Sequence, residues 1–399
     1  MSAVLFVVLS NAVPAPMRVS ETLTDVPGVE TEEFRHLQSV LLSSTATSGN
    51  RIELLENGEE IFAAKLKAIN QARRSITFET FEFWGEDIGG AFADALADAA
   101  ERGVAVHGTF DYLGSVMASG EKFKKMQKAG VDVVRWREPS WYQLSRFNNR
   151  THRKLLIVDG KIGFTGGANT ADPWQGHPDN GGYRENHYRF EGPVVAQLQN
   201  AFMQNWLIAK GQLLHSEAYF PLLQEQGEFA AKVVNSSPQE GTHRTRLMML
   251  LAIAGSRDSL RLASPYFYPD DMIMAALLNA RERGVSVDLM LPAEGHYSMA
   301  VREASMNRWG KLLEAGVQIH EYQPAKYHAK LYIVDEYWVS IGSSNLDNRS
   351  FRLNDETNVI IMNHDQAATL TTQYTQDLEQ SKTFDLQTCE NRPLMGRLL

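Results

Sequence analysis

His152-Arg153-Lys154-Leu155-Leu156-Ile157-Val158-Asp159 is answered 176 positions later by His328-Ala329-Lys330-Leu331-Tyr332-Ile333-Val334-Asp335. Each copy reads His, one spacer, Lys, four apolar residues and Asp. Seven residues after each Asp a Gly-containing turn begins that leads to an Asn, Gly166-Gly167-Ala168-Asn169 in the first copy and Gly342-Ser343-Ser344-Asn345 in the second. One match of this length can arise by chance. Two, at matched places in a repeat, describe a two-part site.

The apolar run after each Lys predicts a buried strand, on which side chains alternate between faces. His152 shares a face with Lys154, and His328 with Lys330. Asp159 and Asp335 stand at odd offsets from their histidines, so they point the other way and support a turn rather than line a pocket. Asp159-Gly160 also reads as a strand-ending turn.

Two His, two Lys and two Asn converging on one pocket suit phosphodiester chemistry. The anionic substrate resists attack until its non-bridging oxygens are neutralised, which two ammonium groups and two amides can do without a metal. One imidazole can attack phosphorus while the other protonates the leaving alkoxide and later deprotonates the acceptor. Each His needs a group on its second ring nitrogen to set its tautomer. Glu185 and Glu356 are the candidates, 33 and 28 residues after their histidines, so that each is expected to serve its own half. A lone His near a Lys is ordinarily a surface or satisfied core residue, but here that reading would have to hold twice at one spacing. No cluster has zinc-ligand spacing, and neither metal nor cofactor is expected.

These residues resemble the phospholipase D superfamily and, more narrowly, the bacterial cardiolipin synthases. The narrower likeness rests on Asn50-Arg51 through Leu54-Leu55-Glu56-Asn57-Gly58, on Gly166-Gly167-Ala168-Asn169, and on Phe190-Glu191-Gly192-Pro193-Val194 with Phe202 and Trp206. It rests also on Gly342 through Phe351 with Asn354 and Glu356. It covers residues 50–385. The resemblance implies an α/β fold of two tandem phospholipase D-like sandwich domains related by a pseudo-twofold axis, with the active site at their interface. It implies transfer of a phosphatidyl group between two phosphatidylglycerols through a phosphatidyl-histidine, releasing glycerol. His152 is then the nucleophile and His328 the general acid and base, and Asp159 and Asp335 join the catalytic set as motif residues. Gly166, Gly167, Ser343 and Ser344 are expected against substrate. Gly167 stands where many superfamily members carry Ser, and Glu185 where an Asp is expected. The other readings are a hydrolase of the same superfamily, acting on phospholipid or nucleic acid, and a catalytically dead membrane scaffold. The scaffold would be expected to have lost a motif His or Lys, and none is missing.

The chain has 399 residues, 43% of them hydrophobic and 22% charged, enough for two cores. A net charge of −9 argues against a general nucleic-acid binder, whose non-specific affinity rests on basic surface. The expected partners are a phospholipid substrate and an anionic membrane surface, with the two halves forming a pseudo-dimer in a monomer. Cys389 stands alone, so no intrachain disulfide can form. Ala3–Leu9 is too short to span a bilayer, which takes about 20 apolar residues, and no basic segment precedes it as in an export signal. It is read as a tail, with a weak export signal or the remnant of a lost anchor the alternatives, and attachment is expected to be peripheral, at the inner (cytoplasmic) membrane surface.

Residues 1–49 are read as tail and lead-in linker, 50–206 as the first domain, 207–245 as the connection and 246–399 as the second. Ala-rich helices ended by Gly recur in both, before Arg102-Gly103-Val104 and Arg283-Gly284-Val285, and Lys128-Ala129-Gly130-Val131 mirrors Glu314-Ala315-Gly316-Val317. The first half carries a longer segment before its His, holding Trp136, Arg137, Trp141, Tyr142, Arg146, Phe147 and Arg150. Trp141 and Arg146 are expected to meet lipid, the alternative being a loop that plugs the domain seam. His296, Tyr297, Met299, Met306 and Trp309 form either an opposite wall or a core helix. Trp174 and His177 are either pocket rim or ordinary loop packing.

Overall fold

A computed structural model describes residues 23–139, 148–295 and 299–391. The expected Trp141 and Arg146 contacts, like Tyr142, Phe147, His296 and Tyr297, lie outside the described residues. In the first half the chain runs through β1 (Thr47–Glu56), α2 (Asn57–Gln71), β2 (Ser75–Thr80), α3 (Ile88–Glu101), β3 (Ala105–Asp111), α4 (Gly120–Lys128) and β4 (Asp132–Trp136). It continues through β5 (Leu155–Val158), β6 (Ile162–Gly166), β7 (Asn186–Glu191) and α5 (Val194–Lys210), and helix α1 (Glu32–Leu42) precedes it all. The second half repeats the plan with β8 (Phe229–Ser236), α6 (Arg244–Gly255), β9 (Ser259–Ala263), β10 (Phe267–Tyr268), α7 (Asp271–Glu282), β11 (Ser286–Pro292), α8 (Met299–Glu314) and β12 (Gln318–Tyr322). Then come β13 (Leu331–Val334), β14 (Trp338–Gly342), β15 (Leu346–Asp347), α9 (Asn348–Arg352), β16 (Glu356–Met362), α10 (His364–Glu379), β17 (Ser381–Phe384) and α11 (Leu386–Glu390).

Fifteen strands form one sheet in the order β17-β12-β11-β9-β13-β14-β16-β8-β1-β7-β6-β5-β2-β3-β4. Read outward from the β8–β1 contact, the order β1-β7-β6-β5-β2-β3-β4 mirrors β8-β16-β14-β13-β9-β11-β12. The twofold of the sequence repeat is therefore the twofold of the sheet, and the fold is the expected tandem one. β2, β3 and β4 run parallel, as do β9, β11 and β12, because a helix crosses over between each pair. Gly103 and Gly284 both sit at φ +90° just past the ends of α3 and α7, a conformation glycine adopts without a Cβ clash.

Three apolar cores result. One lies under α2, α3 and α4 on the outer face of the first half. A second lies under α1, α6, α7 and α8 on the outer face of the second. The third is shared: Leu155, Tyr188, Phe202 and Trp206 meet Leu331, Val339, Ile361 and Tyr374 between the halves, with α5 and α10 packed into it. Burying apolar side chains from both halves in one core makes the seam an interior rather than a hinge.

Two segments read as linkers are structure. Residues 32–42 form α1, capped by Thr31, whose hydroxyl accepts from Phe34 N at 3.1 Å. Its Phe34 and Leu42 enter the second half's core, and Gln38 accepts from Trp338 Nε1 at 3.4 Å. Within the expected connection, Phe229–Ser236 is strand β8, paired with β16 and β1. Met306 and Trp309 are buried in the second half's core, Trp309 edge-on to Phe384 at 5.1 Å, which is the core-helix reading of that segment. Among the described residues no helix is long and apolar enough to cross a membrane.

Candidate active site

The His-Lys segments lie in extended chain immediately before β5 and β13, not within them. What holds them extended is the opposite half. His152 N donates to Asp355 O at 2.9 Å and Asp355 N to Arg150 O at 2.8 Å, while His328 N donates to Arg184 O at 2.7 Å and Arg184 N to Lys326 O at 3.0 Å. Residues between the pocket-facing ones turn inward. Thr151 donates its hydroxyl to buried Glu79, and Arg153 reaches Gln204 Oε1 at 3.2 Å and Ser237 Oγ at 3.0 Å.

The same crossing decides the glutamates. His152 Nδ1 lies 3.0 Å from Glu356 Oε1, and His328 Nδ1 lies 2.5 Å from Glu185 Oε2. Each histidine is oriented by the carboxylate of the other half, which corrects the expected pairing within halves. The reason is the sheet: each His segment bridges to the chain just before the other half's β16 or β7, where Glu356 is the first residue of its strand and Glu185 the one before Asn186 opens β7.

The lysines are pinned back on their own segments. Lys154 Nζ donates to His152 O at 2.7 Å and Lys330 Nζ to His328 O at 2.5 Å, with Lys330 Nζ also 2.8 Å from His328 Nδ1. All four residues are buried. Burial pulls Lys154 down to about 7, reinforced by the charge of Lys330, and pulls Lys330 down to about 8. The charges of Glu356 and Glu185 pull both lysines back up, and the anion of a phosphodiester would do the same.

The two His-Glu pairs differ. Burial takes His152 down to about 4 against the pull of Glu356. Burial would raise Glu356, but His152, Lys154 and hydrogen bonds from the hydroxyls of Ser343 and Ser350 (2.8 Å) hold it below the usual carboxylate range. That pair is a neutral imidazole and an ionised carboxylate, which share only the imidazole's own N–H. In the other, burial takes Glu185 up to about 7 despite Lys330, with Asn186 N at 2.9 Å and Trp174 Nε1 at 3.2 Å as its further donors. His328 is pushed down, by burial and then by Lys330. Burial therefore favours an added proton on the Glu185–His328 pair, whereas the hydroxyls of Ser343 and Ser350 favour the ionised carboxylate in the other.

Gly167 explains the difference. Its counterpart Ser343 gives its hydroxyl to Glu356, whereas a Cβ on Gly167 would stand 2.3 Å from Glu185 Oε1. Trp174 donates there instead and packs edge-on against the His328 ring at 5.0 Å, a pocket role for a residue that reads equally as loop packing. His177, by contrast, caps a short turn, accepting from Asp179 N at 3.4 Å.

Other expected site residues are placed elsewhere. Asp159 accepts from Arg74 N at 2.7 Å and Ser75 N at 3.0 Å, and Asp335 from Asp258 N at 2.8 Å and Ser259 N at 2.9 Å. Both sit at the far end of their strands and clamp the start of β2 and β9, so as catalytic residues they are corrected to turn residues, as their strand face requires. Ser343 and Ser344 are turned inward too: Ser344 Oγ accepts from Asn358 Nδ2 at 2.5 Å. Gly166 lets its turn lie on β7, a Cβ there meeting Asn186 O at 2.7 Å. With the hydroxyls of Ser343 and Ser344 taken by Glu356 and Asn358, these two and Gly166 and Gly167 form the wall of the site. Asn169 Oδ1 accepts from Glu82 N at 3.2 Å. Arg137 pairs with Glu240 at 3.2 Å and Arg150 with Asp111 at 3.3 Å, the seam-plug reading for the described part of that segment.

A cleft of about 290 Å³ opens at His152, lined in part by Phe81, Tyr266, Asn345, Arg349 and Asn354. Phe81 packs on the His152 ring at 5.4 Å, and Lys154 Nζ stands 5.6 Å from its centroid. The Glu82 carboxyl, held above the usual carboxylate range by burial, accepts from Trp84 Nε1 at 2.9 Å. Phe81, Glu82 and Tyr266 were absent from the sequence reading because they follow β2 and β9, far from either motif. Their signal was the equal offset of Glu82 and Tyr266 from Ser75 and Ser259, which start those strands.

A family described as cardiolipin synthase, PLD-like domain, matches residues 66–206 and 249–380. A cardiolipin synthase of Staphylococcus epidermidis is 34% identical over 353 residues, 87% of this chain and 72% of that protein. One from Pseudomonas syringae is 32% identical over 86% of this chain and 71% of its own length. Among solved structures, a phosphatidylserine synthase from Haemophilus influenzae superposes with a TM-score of 0.70 at 14% identity, over 92% of this chain and 96% of that one, a likeness of fold.

Proposed function

The chain belongs to the cardiolipin synthase family of phospholipase D-like phosphatidyltransferases, and from that premise we propose that it joins two phosphatidylglycerols into cardiolipin and glycerol through a phosphatidyl-histidine. The observation that supports the order of events is the unequal setting of the two glutamates: Glu356 accepts hydroxyls from Ser343 and Ser350, while Glu185 faces Gly167 and is pushed by burial toward its protonated form. His152, neutral and oriented by an ionised Glu356, has a free Nε2 lone pair and is the nucleophile. The Glu185–His328 pair, on which burial favours a proton, is the acid.

In the first half-reaction His152 Nε2 attacks phosphorus. The P–N bond forms as the P–O bond to the headgroup glycerol breaks, and the departing alkoxide takes the proton of the Glu185–His328 pair. In the second, a hydroxyl of another phosphatidylglycerol returns a proton to that pair and attacks phosphorus. The new P–O bond forms as the P–N bond breaks, and His152 is restored. Lys154 and Lys330 neutralise the non-bridging oxygens throughout, the kind of preorganised charge whose removal costs about 3–4 kcal/mol. The setting proposed is the surface of an anionic phospholipid membrane.

Purified protein on phosphatidylglycerol vesicles should yield cardiolipin and glycerol by mass spectrometry, and His152→Ala and His328→Ala should each yield neither. Phosphatidic acid as the sole product would make water the acceptor and the protein a hydrolase. Turnover retained by either variant would end the paired mechanism.

A further inference from the structure

Arg150-x-His152-x-Lys154 and Lys326-x-His328-x-Lys330 put a third basic residue on the pocket face of each segment, two residues before the histidine. The halves treat it differently. β3 ends on Asp111, whose buried carboxylate pairs with Arg150 at 3.3 Å. β11, of the same length and at the same place in the sheet, ends on Pro292, which has no acid to offer. Lys326 accordingly has no carboxylate within ion-pair distance among the described residues. Its ammonium instead lies 4.9 Å from the centroid of Tyr183 and 5.8 Å from that of Tyr266, two rings at the pocket itself. The Tyr183 ring is 6.1 Å from that of His328, and Tyr266 lines the cleft that opens at His152. Lys326 is half-buried, and burial lowers its pKa while the more distant charges of Glu82 and Glu185 raise it. A desolvated cation faced by aromatic rings and lacking its own anion is arranged to receive one.

The reacting phosphoryl group does not need it, because Lys154 and Lys330 already sit at both histidines. Transfer between two phosphatidylglycerols, the reading this inference rests on, brings in a second phosphodiester that does not react, that of the acceptor. We propose that Lys326, framed by Tyr183 and Tyr266, is the seat of the acceptor lipid's intact phosphodiester. The seat explains how the site prefers a lipid hydroxyl over free glycerol or water, which have the same nucleophilic oxygen but no phosphate to hold. The nascent product then lies with one phosphate between the histidines and the other on Lys326, joined through the central glycerol.

The test offers the two acceptors together. Vesicles of phosphatidylglycerol are supplied with deuterated glycerol, and cardiolipin and deuterated phosphatidylglycerol are quantified in one assay for wild type, Lys326→Ala and Lys326→Arg. The ratio of cardiolipin to deuterated phosphatidylglycerol should fall at least ten-fold in Lys326→Ala, through the KM for the lipid acceptor rather than kcat, and recover in large part in Lys326→Arg. An unchanged ratio, whether both products persist or fall together, overturns the seat. Should Lys326→Ala not accumulate as folded protein, Lys326→Gln supplies the same ratio. If wild type itself makes no cardiolipin, the transferase reading falls and the seat with it. If wild type makes cardiolipin and the ratio does not move, only the seat falls.

Discussion

The proposed division of labour between the two His-Glu pairs sets an expected pH behaviour. His152 must be neutral, so activity is lost as pH falls through about 4. The Glu185–His328 pair must be protonated for the first step and Lys154 charged, so kcat/KM declines as pH rises through about 7. A profile on mixed micelles that stays flat from pH 6 to 9 would contradict the assignment. Gly167 offers a second check. Its missing Cβ makes room for a Glu185 already fixed by His328, Asn186 N and Trp174, so Gly167→Ala should displace the carboxylate. A loss of about 10²-fold or more in kcat is expected, the size of a general acid's contribution, with little change in Tm. The faces of His152, Lys154, His328 and Lys330 were legible because period two needs only the local chain. The partners of Glu185 and Glu356 were not, since a separation of 33 or 28 residues says nothing about a neighbour across a sheet.

At the scale of the element, the motif aspartates are backbone clamps. Asp159 and Asp335 stand at φ +53° and +51°, each ending its strand and gathering the N–H groups that open the neighbouring strand. Asp159→Ala and Asp335→Ala should each lower stability by about 1–3 kcal/mol, the worth of hydrogen bonds to a charged acceptor at partly exposed donors. Turnover per folded molecule should stay within a few-fold of wild type; chemical denaturation beside active-site titration separates the two. Their role was readable from the odd offset to His. Strand β8 was not readable: Phe-Ala-Ala-Lys-Val-Val-Asn-Ser sets Lys232 in the middle of a strand and lacks clean alternation, and only pairing with β16 gives it a place. Helix α1 was missed for a related reason. Its apolar stripe of Phe34 and Leu42 is short, and the core it serves is assembled some two hundred residues later.

For the whole molecule the decisive contact is the seam. Arg184, buried between the halves, donates Nε to Asp377 Oδ1 on α10 at 2.7 Å and Nη2 to Glu56 Oε2 at 2.9 Å, while its carbonyl carries His328 N. Removing one member of a buried pair leaves the other charge uncompensated, a loss of about 3–5 kcal/mol. Asp377→Ala should therefore lower stability by that order and slacken the His328 segment, reducing kcat more than it raises KM; unfolding curves and steady-state kinetics on the same preparation would show both. Crossed glutamates also impose an order on synthesis. His152 leaves the ribosome 204 residues ahead of Glu356, so through most of translation it is an untethered imidazole without its tautomer or its lysine neighbours across the seam. On the proposed mechanism a chain still in synthesis therefore lacks the carboxylate that orients its nucleophile, and activity waits on the completion of the second half.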